Sequence, residues 1–153
     1  MSASHESAFF DPGGIQTFGE KKSDVVYIAR RGAYAVIFDN ERRVAAMRGG
    51  SGFFLPGGGL EEGETFEAAL HRELFEECAA TVKILNMIGE ARDFIYSKAE
   101  NAYFEKLGMF CLAQFTTIPA SRDLEWLDPG EMENLFRQKG HAWAVMRALN
   151  RLS

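Results

Sequence analysis

Glu73, Glu76 and Glu77 stand at spacings i, i+3 and i+4 within HRELFEECAA, residues 71–80. In a helix such residues are surface neighbours, and like charges there destabilise by roughly 0.2–0.5 kcal/mol per pair. At 3.6 residues per turn the three carboxylates span about 100° of the surface. Leu70, Leu74 and Cys78 fill the adjoining arc, the natural buried stripe, so the acids flank the core rather than oppose it. The wheel alone leaves two readings: water screens an exposed acidic face, or a cation sits among the carboxylates. A solvated acidic face is ordinarily interleaved with lysines one turn on, and residues 49–82 contain none.

The segment before this helix favours the cation. GGSGFFLPGGGLEEGE, residues 49–64, is glycine-rich, and glycine lets backbone groups approach a site with no Cβ in the way. Pro56, flanked by apolar Leu55 and Leu60, points to an ordered turn at Gly57, Gly58 and Gly59 rather than a slack linker. Hard cations such as Mg²⁺ take oxygen ligands, typically one or two carboxylates plus substrate phosphates and water. A Walker-type phosphate loop is excluded, because Glu64-Thr65 stands where Lys-Ser/Thr would be required.

The elements that must position these groups are legible in outline. DVVYIARRGAYAVIF reads as a strand interrupted near Gly32, DNER as a turn, and RVAAMR as a returning strand, together a hairpin. TFEAALHRELFEECAA reads as a helix capped by Thr65, with Glu67 in its first turn. Strand-like stretches follow at 81–88, 92–96 and 107–115, with the polar loop SKAEN among them. LDPGEMENLF starts a second helix, Asp128 capping it and Pro129 at its first position, and HAWAVMRALNRL is a third, amphipathic helix. The order of strands, helix, strands and helices predicts a single α+β domain over residues 23–153, preceded by a flexible arm over residues 1–22 that includes Phe9 and Phe10.

Composition narrows the function. With 153 residues and 46% hydrophobic content the chain has enough apolar material for one folded core. A net charge of −5 without a long basic run argues against a nucleic-acid polymer as partner, while leaving room for a small phosphorylated ligand bound through cations. Two cysteines, Cys78 and Cys111, give neither a disulfide framework nor zinc-ligand spacing. No stretch has the length of a membrane span and no leader is evident, so a cytoplasmic location is expected.

These residues resemble the Nudix family closely. Its box, G-x5-E-x7-R-E-U-x-E-E-x-G-U with U aliphatic, is matched by Gly58, Glu64, Arg72-Glu73-Leu74, Glu76-Glu77 and Ala80, with Ala79 in place of the family's second glycine. RGAYAVIFDNERRVAAMR, GFFLPGGGLEEGET and LEWLDPGEMENLF are similar to the family's flanking segments, and the resemblance spans roughly residues 25 to 150. It implies the Nudix fold, a mixed β-sheet sandwiched between helices. It further implies hydrolysis of a nucleoside diphosphate linked to another group X, with Mg²⁺ or Mn²⁺ as cofactor.

Carried over by position, Glu73, Glu76, Glu77 and the carbonyl of Gly57 would ligate metal. Glu73 would be a candidate base on water, Arg72 would brace the glutamates, and Glu64 would support the metal shell. The small nucleotide substrate would be met by Phe54, Tyr96 and Glu105, with Phe53 beside Phe54 as a surface for a base and Glu100 or Glu105 as the further downstream carboxylate that some members recruit to the metal site. From the residues alone each has a structural reading too: Phe53 and Phe54 as core, Tyr96 as a strand tyrosine packed on the sheet, Glu100 and Glu105 as solvated charges. His141, at the start of the last helix, is expected to cap it or lie on its surface, with a place near the pocket as the alternative. A monomer or homodimer is expected. The rival class is a Nudix-fold module that binds a nucleotide without cleaving it, in which the box carboxylates are usually eroded.

Overall fold

Alternation along one strand sets the layers. In the computed structural model, which describes residues 14–50 and 52–152, β2 (Tyr27–Ile37) sends Ala33, Ala35 and Ile37 into one apolar cluster. Tyr34 and Val36 go to another, as a side-chain period of two requires. The first cluster is closed by Leu70, Leu74 and Cys78 of α1 (Phe66–Cys78). The second is closed by Ala142, Val145 and Ala148 of α3 (Lys139–Leu152). The sheet is therefore covered by a helix on each face.

That sheet is mixed. Its strand order is β1 (Gln16–Phe18), β6 (Val82–Ser97), β7 (Ala102–Phe115), β2 and β5 (Gly57–Gly59). β1 pairs parallel with β6 and β7 parallel with β2; the other two pairings are antiparallel. A second, antiparallel sheet holds β4 (Gly52–Phe54), β3 (Val44–Gly49) and β8 (Leu124–Leu127), in that order. The α+β Nudix fold expected from the sequence is the fold found.

Several local expectations change. β2 runs unbroken through Gly32, because the Tyr34 ring lies back over that position: a Cβ there would come within 2.6 Å of the ring. The expected hairpin closes only at the Phe38–Val44 bridge. Asp39 Oδ1 accepts from Glu41 N at 2.9 Å and Arg43 N at 2.8 Å to make the turn, and β3 then leaves for the other sheet. The two stretches at 81–88 and 92–96 are one strand, β6, which bulges between Ile84 and Asn86 and again between Met87 and Gly89. The glycine-rich connection contributes β4 and β5 rather than loop throughout.

The caps fall where the side chains predicted them. Thr65 Oγ1 accepts from Ala68 N at 3.1 Å to start α1. Asp128 Oδ1 accepts from Gly130 N at 2.9 Å, opening a 3-10 turn over Pro129–Glu131 that leads into the short α2 (Met132–Leu135). Residues 1–13 of the expected arm, Phe9 and Phe10 among them, lie outside the described residues. Within the rest of it Gln16–Phe18 is not an arm but an edge strand opposite Ala91, Arg92 and Asp93, with Phe18 against the α3 cluster. No helix of the described residues is long and apolar enough to cross a membrane.

Candidate active site

The carboxylate helix and the glycine segment form one wall of a recess of about 410 Å³, with Gly57, Gly58, Gly59, Glu73 and Glu77 among its lining. The opening electrostatic question finds its first answer in Arg72. Its guanidinium grips Glu64 through two parallel hydrogen bonds, Nε to Oε2 at 2.6 Å and Nη2 to Oε1 at 2.8 Å. Nη1 donates to Glu73 Oε1 at 3.1 Å and Glu76 Oε1 at 3.3 Å, and Nη2 also donates to the carbonyl of Gly59 at 3.0 Å. This fork suits a planar guanidinium and not a lysine. Glu64 also accepts from the backbone N–H of Glu61 at 2.8 Å. The Arg72 bonds first, and the Glu61 amide second, hold the Glu64 carboxyl down at about 2. The Glu64 bonds first, then the Glu73 bond and the charge of Glu61, raise Arg72 above its ordinary value against partial desolvation, so both ends of the clamp stay charged.

Glu77 lies outside the clamp. Its Oε1 accepts from Gly57 N at 3.0 Å, tying the last turn of α1 to the glycine strand. Burial pushes its carboxyl up to about 7, and the charges of Glu73 and Glu76 add to the rise, against the Gly57 hydrogen bond. A carboxylate in that state is short of positive charge. Among the described residues none donates to the second oxygen of Glu73, Glu76 or Glu77. Nor do three His, Cys, Asp or Glu side chains converge as a ready cage among those residues.

Whether a hard divalent cation fits can be judged from the donors. All are oxygens, as Mg²⁺ and Mn²⁺ prefer, with no thiolate or imidazole at the wall. Gly58 shows how close the segment runs: a Cβ there would lie 2.5 Å from the Glu73 carboxyl carbon and 2.6 Å from its Oε2. Gly57 has φ 138°, a conformation glycine tolerates, and its missing Cβ lets β5 lie against β2. The residues fit the ion.

Ala79 takes the place of a glycine that would be favoured by its backbone. It ends α1 in the left-handed conformation, φ 52° and ψ 37°, with its N–H donating to Phe75 O at 2.9 Å. The helix therefore stops where a glycine would have stopped it, at a conformational cost of roughly 1–2 kcal/mol.

Of the residues singled out for substrate, Phe54 lines the recess together with Phe53, and Phe54 also packs on the α1 core. Tyr96 is a strand tyrosine resting on the sheet, as one reading expected, but a half-exposed one. It is 44% exposed, so it is not core, and it lies outside the recess lining. Its hydroxyl donates to Asn101 Oδ1 at 2.6 Å and its ring rests on Tyr103 at 4.8 Å between centroids, at the far end of the β6–β7 pair. Glu105 sits 2.8 Å from Arg92 Nε, which removes it from the solvated class and from the recess. Glu100 lies in the turn joining β6 to β7, its amide donating to Ser97 Oγ at 3.3 Å.

Of the opposite wall, the sequence offers only His141 near the pocket, as an alternative. Tyr34, Arg137 and Gln138 line it, and His141 lies behind them, 1% exposed instead of on the surface. The Nδ1 of His141 accepts from Leu55 N at 3.0 Å, and its ring packs 4.4 Å from Tyr34 and 5.3 Å from Phe110. With Nδ1 an acceptor, the proton of the neutral ring is assigned to Nε2. Burial, with some help from the charge of Lys106, pushes His141 down to about 3. Tyr34 is pushed up to about 12 by burial and then by Glu77, Glu73 and Asp93, so its hydroxyl stays protonated. The strand alternation of GAYAVIF is the one sequence signal that could have placed Tyr34 on the face opposite α1.

Residues 29–149 match the model of the NUDIX domain. No curated protein matches the chain. Solved structures that resemble it include a MutT protein from Methanosarcina mazei Go1, with a TM-score of 0.65 and 12% identity over 85% of this chain and 99% of that one. The dihydroneopterin triphosphate pyrophosphohydrolase of E. coli has a TM-score of 0.64 and 17% identity, over 79% of this chain and 95% of that one. A MutT protein from Bacillus halodurans reaches 23% identity at TM-score 0.61, over 78% and 82%. At these identities the likeness is one of fold.

Proposed function

This chain belongs to the Nudix family, a family of pyrophosphohydrolases, and from that premise we propose that it cleaves a phosphoanhydride bond in a nucleoside diphosphate linked to a further group, with Mg²⁺ or Mn²⁺. The observation that carries the reading is the wall of Glu73, Glu76 and Glu77 braced by the Arg72–Glu64 clamp against Gly57–Gly59, open to a recess able to take a diphosphate. The carboxylates of Glu73, Glu76 and Glu77 and the carbonyl of Gly57 are the groups we assign to the cation. A bound divalent ion supplies charge neutralisation of the diphosphate and a water acidified toward neutral pH.

The chain's own residues do the rest. Arg72 fixes the carboxylates in one geometry, so little reorganisation remains when substrate arrives. Glu73, facing the Gly58 side of the recess, is assigned to take a proton from the attacking water. The water oxygen then bonds to one phosphorus, and the bond from that phosphorus to the bridging oxygen breaks, its electron pair leaving with the second phosphate. Phe53, Phe54 and Tyr34 give the recess flat apolar surfaces that exclude water and can carry a base. A binding module without catalysis is the weaker reading, because Arg72, Glu73, Glu76 and Glu77 are all retained.

The test is a hydrolysis panel. Purified protein is given nucleoside triphosphates, dinucleoside polyphosphates and nucleotide sugars, with Mg²⁺, with Mn²⁺ or with EDTA, and products are separated by chromatography. At least one class should yield a nucleoside monophosphate only when metal is present. Folded protein inert toward every class with both metals would overturn the assignment.

A further inference from the structure

Beside the catalytic recess, and sharing Tyr34, Gly59 and Gln138 with it, lies a second recess of about 240 Å³. Its character is the reverse of the carboxylate wall. Arg30 from β2 and Lys106 from β7 both line it. Both cations stand over one ring, that of the buried Phe104, with Arg30 Cζ 5.4 Å and Lys106 Nζ 4.9 Å from its centroid. Parallel pairing of β2 with β7 brings them together, Arg30 lying directly opposite Lys106 in the register.

Arg137, at the mouth of the catalytic recess, adds a third positive charge near Lys106. Among the described residues none of the three forms an ion pair with a carboxylate. Glu100 is the one acid whose charge acts on Lys106, and it does not outweigh the opposing effects. Burial lowers the Lys106 pKa, and the like charges of Arg137 and Arg30 lower it further. Three cations near one another, opposed by the charge of Glu100 on Lys106 and held in no ion pair, repel less when an anion joins them. An anion entering the catalytic recess and continuing past Tyr34 would meet them.

We propose that Arg30, Lys106 and Arg137 form an anion subsite for the part of the substrate beyond the scissile diphosphate, so that the preferred substrate carries at least one further phosphate there. The inference rests on the hydrolase reading above and narrows it: an uncharged sugar as the X group is disfavoured. The further phosphate can come from a longer phosphate chain or from a phosphorylated X group. The bound phosphate takes charge-assisted hydrogen bonds from the two guanidinium groups and the ammonium.

Two measurements decide it. In the first, kcat/KM is compared for a nucleotide with an uncharged sugar (ADP-glucose), one with a long phosphate chain (adenosine 5′-tetraphosphate) and one with a phosphorylated X group (ADP-ribose 1″-phosphate). One of the two phosphate-bearing compounds, and which one identifies the source, should exceed ADP-glucose by roughly thirtyfold or more. In R30Q/K106Q that preference should fall at least about tenfold, mainly through KM. In the second, tripolyphosphate is titrated into the metal-free protein in EDTA, where the bare carboxylates repel it. Saturable binding should weaken about tenfold in R30Q/K106Q and persist in E76Q. ADP-glucose turned over as well as both phosphate-bearing compounds, or a preference and tripolyphosphate affinity unchanged in R30Q/K106Q, would overturn the subsite. If nothing is hydrolysed the catalytic reading fails on its own, and the metal-free titration still decides the subsite in either direction.

Discussion

The two walls of the recess are built on different plans. One is acidic and comes from a single run of sequence, Gly57 to Glu77, whose groups lock one another through Arg72. The other is aromatic and basic and comes from stretches far apart in sequence: Tyr34 and Arg137 line it, His141 packs behind Tyr34, and Arg30 and Lys106 extend it into the recess beside. The first wall is strained toward accepting a cation, since Glu77 is buried beside two like charges. The second is strained toward accepting an anion. The proposed metal-bound phosphate chain would satisfy both fields at once.

The difference is broken most directly at the acidic wall. Glu76→Gln and Glu77→Gln keep side-chain volume and, for residue 77, keep an oxygen able to accept from Gly57 N. Each is expected to lower kcat by at least about a hundredfold at saturating Mg²⁺, through lost ligation. The fold should survive in both. Near-normal turnover in either variant would show that the acids are ordinary surface charge.

The second wall answers to His141. Its ring fills the space between Tyr34, Phe110 and Phe136 and takes the N–H of Leu55, two residues before Gly57. His141→Ala leaves a cavity and orphans that buried donor, a loss of about 2–4 kcal/mol. Chemical denaturation should report it. Because Leu55 leads into the glycine segment, activity in the surviving folded fraction should also drop, through displacement of the Gly57 carbonyl. A variant as stable as wild type would remove the second wall's claim to position the first.

How much of this was legible follows the same division. The acidic wall could be read because a helix repeats every 3.6 residues, so Glu73, Glu76, Glu77 and the buried Leu70, Leu74 and Cys78 declare their faces from local spacing. The other wall depends on which strands pair and in what register. Nothing near Arg30 says that Lys106 lies opposite it. Tyr96 was misplaced for that reason: its alternation is clear, but β6 carries it beyond the helices to a solvent-facing end. His141 was misplaced because a polar residue early in an amphipathic helix usually faces water, whereas here Asp93 reaches from β6 to accept from Gly140 N and draws that end of α3 onto the sheet.

The two walls should also titrate in opposite senses. In the metal-free fold Glu77 is raised to about 7 from 4.5, chiefly by burial, with the charges of Glu73 and Glu76 adding to the rise. A carboxyl raised on folding binds its proton more tightly in the folded state. Its stabilisation is fully present below the unfolded value and is lost as pH rises through the folded one. His141, lowered to about 3 from 6.5, works the other way: stability is present above 6.5 and lost on acidification below it. Glu77→Gln should therefore match wild type near pH 4 and exceed it by on the order of 2 kcal/mol at pH 8, allowing for partial exposure. Saturating Mg²⁺ should abolish the gap. Melting curves across pH without metal check it, and a gap that widens toward acid would mean that Glu77 is not the strained group.

The smallest effect lies just past the acidic wall, at Ala79. A left-handed residue with a Cβ costs roughly 1–2 kcal/mol relative to glycine, which reaches that region freely. Against this, glycine gives the unfolded chain more freedom, worth roughly 0.4–1 kcal/mol in the opposite direction. The folded-state gain is the larger, since Ala79 is fixed by its N–H bond to Phe75 O and its side chain faces solvent, so no packing is lost. Ala79→Gly is thus expected to stabilise by about 0.5–1 kcal/mol, a rise of a few degrees in Tm for a domain of this size. Turnover should not change, because Ala79 contributes no ligand and the Glu77–Gly57 bond already holds the end of α1 in place. A faster enzyme with the glycine restored would show the opposite: the helix terminus, and with it the position of Glu77, is held slightly off by the alanine.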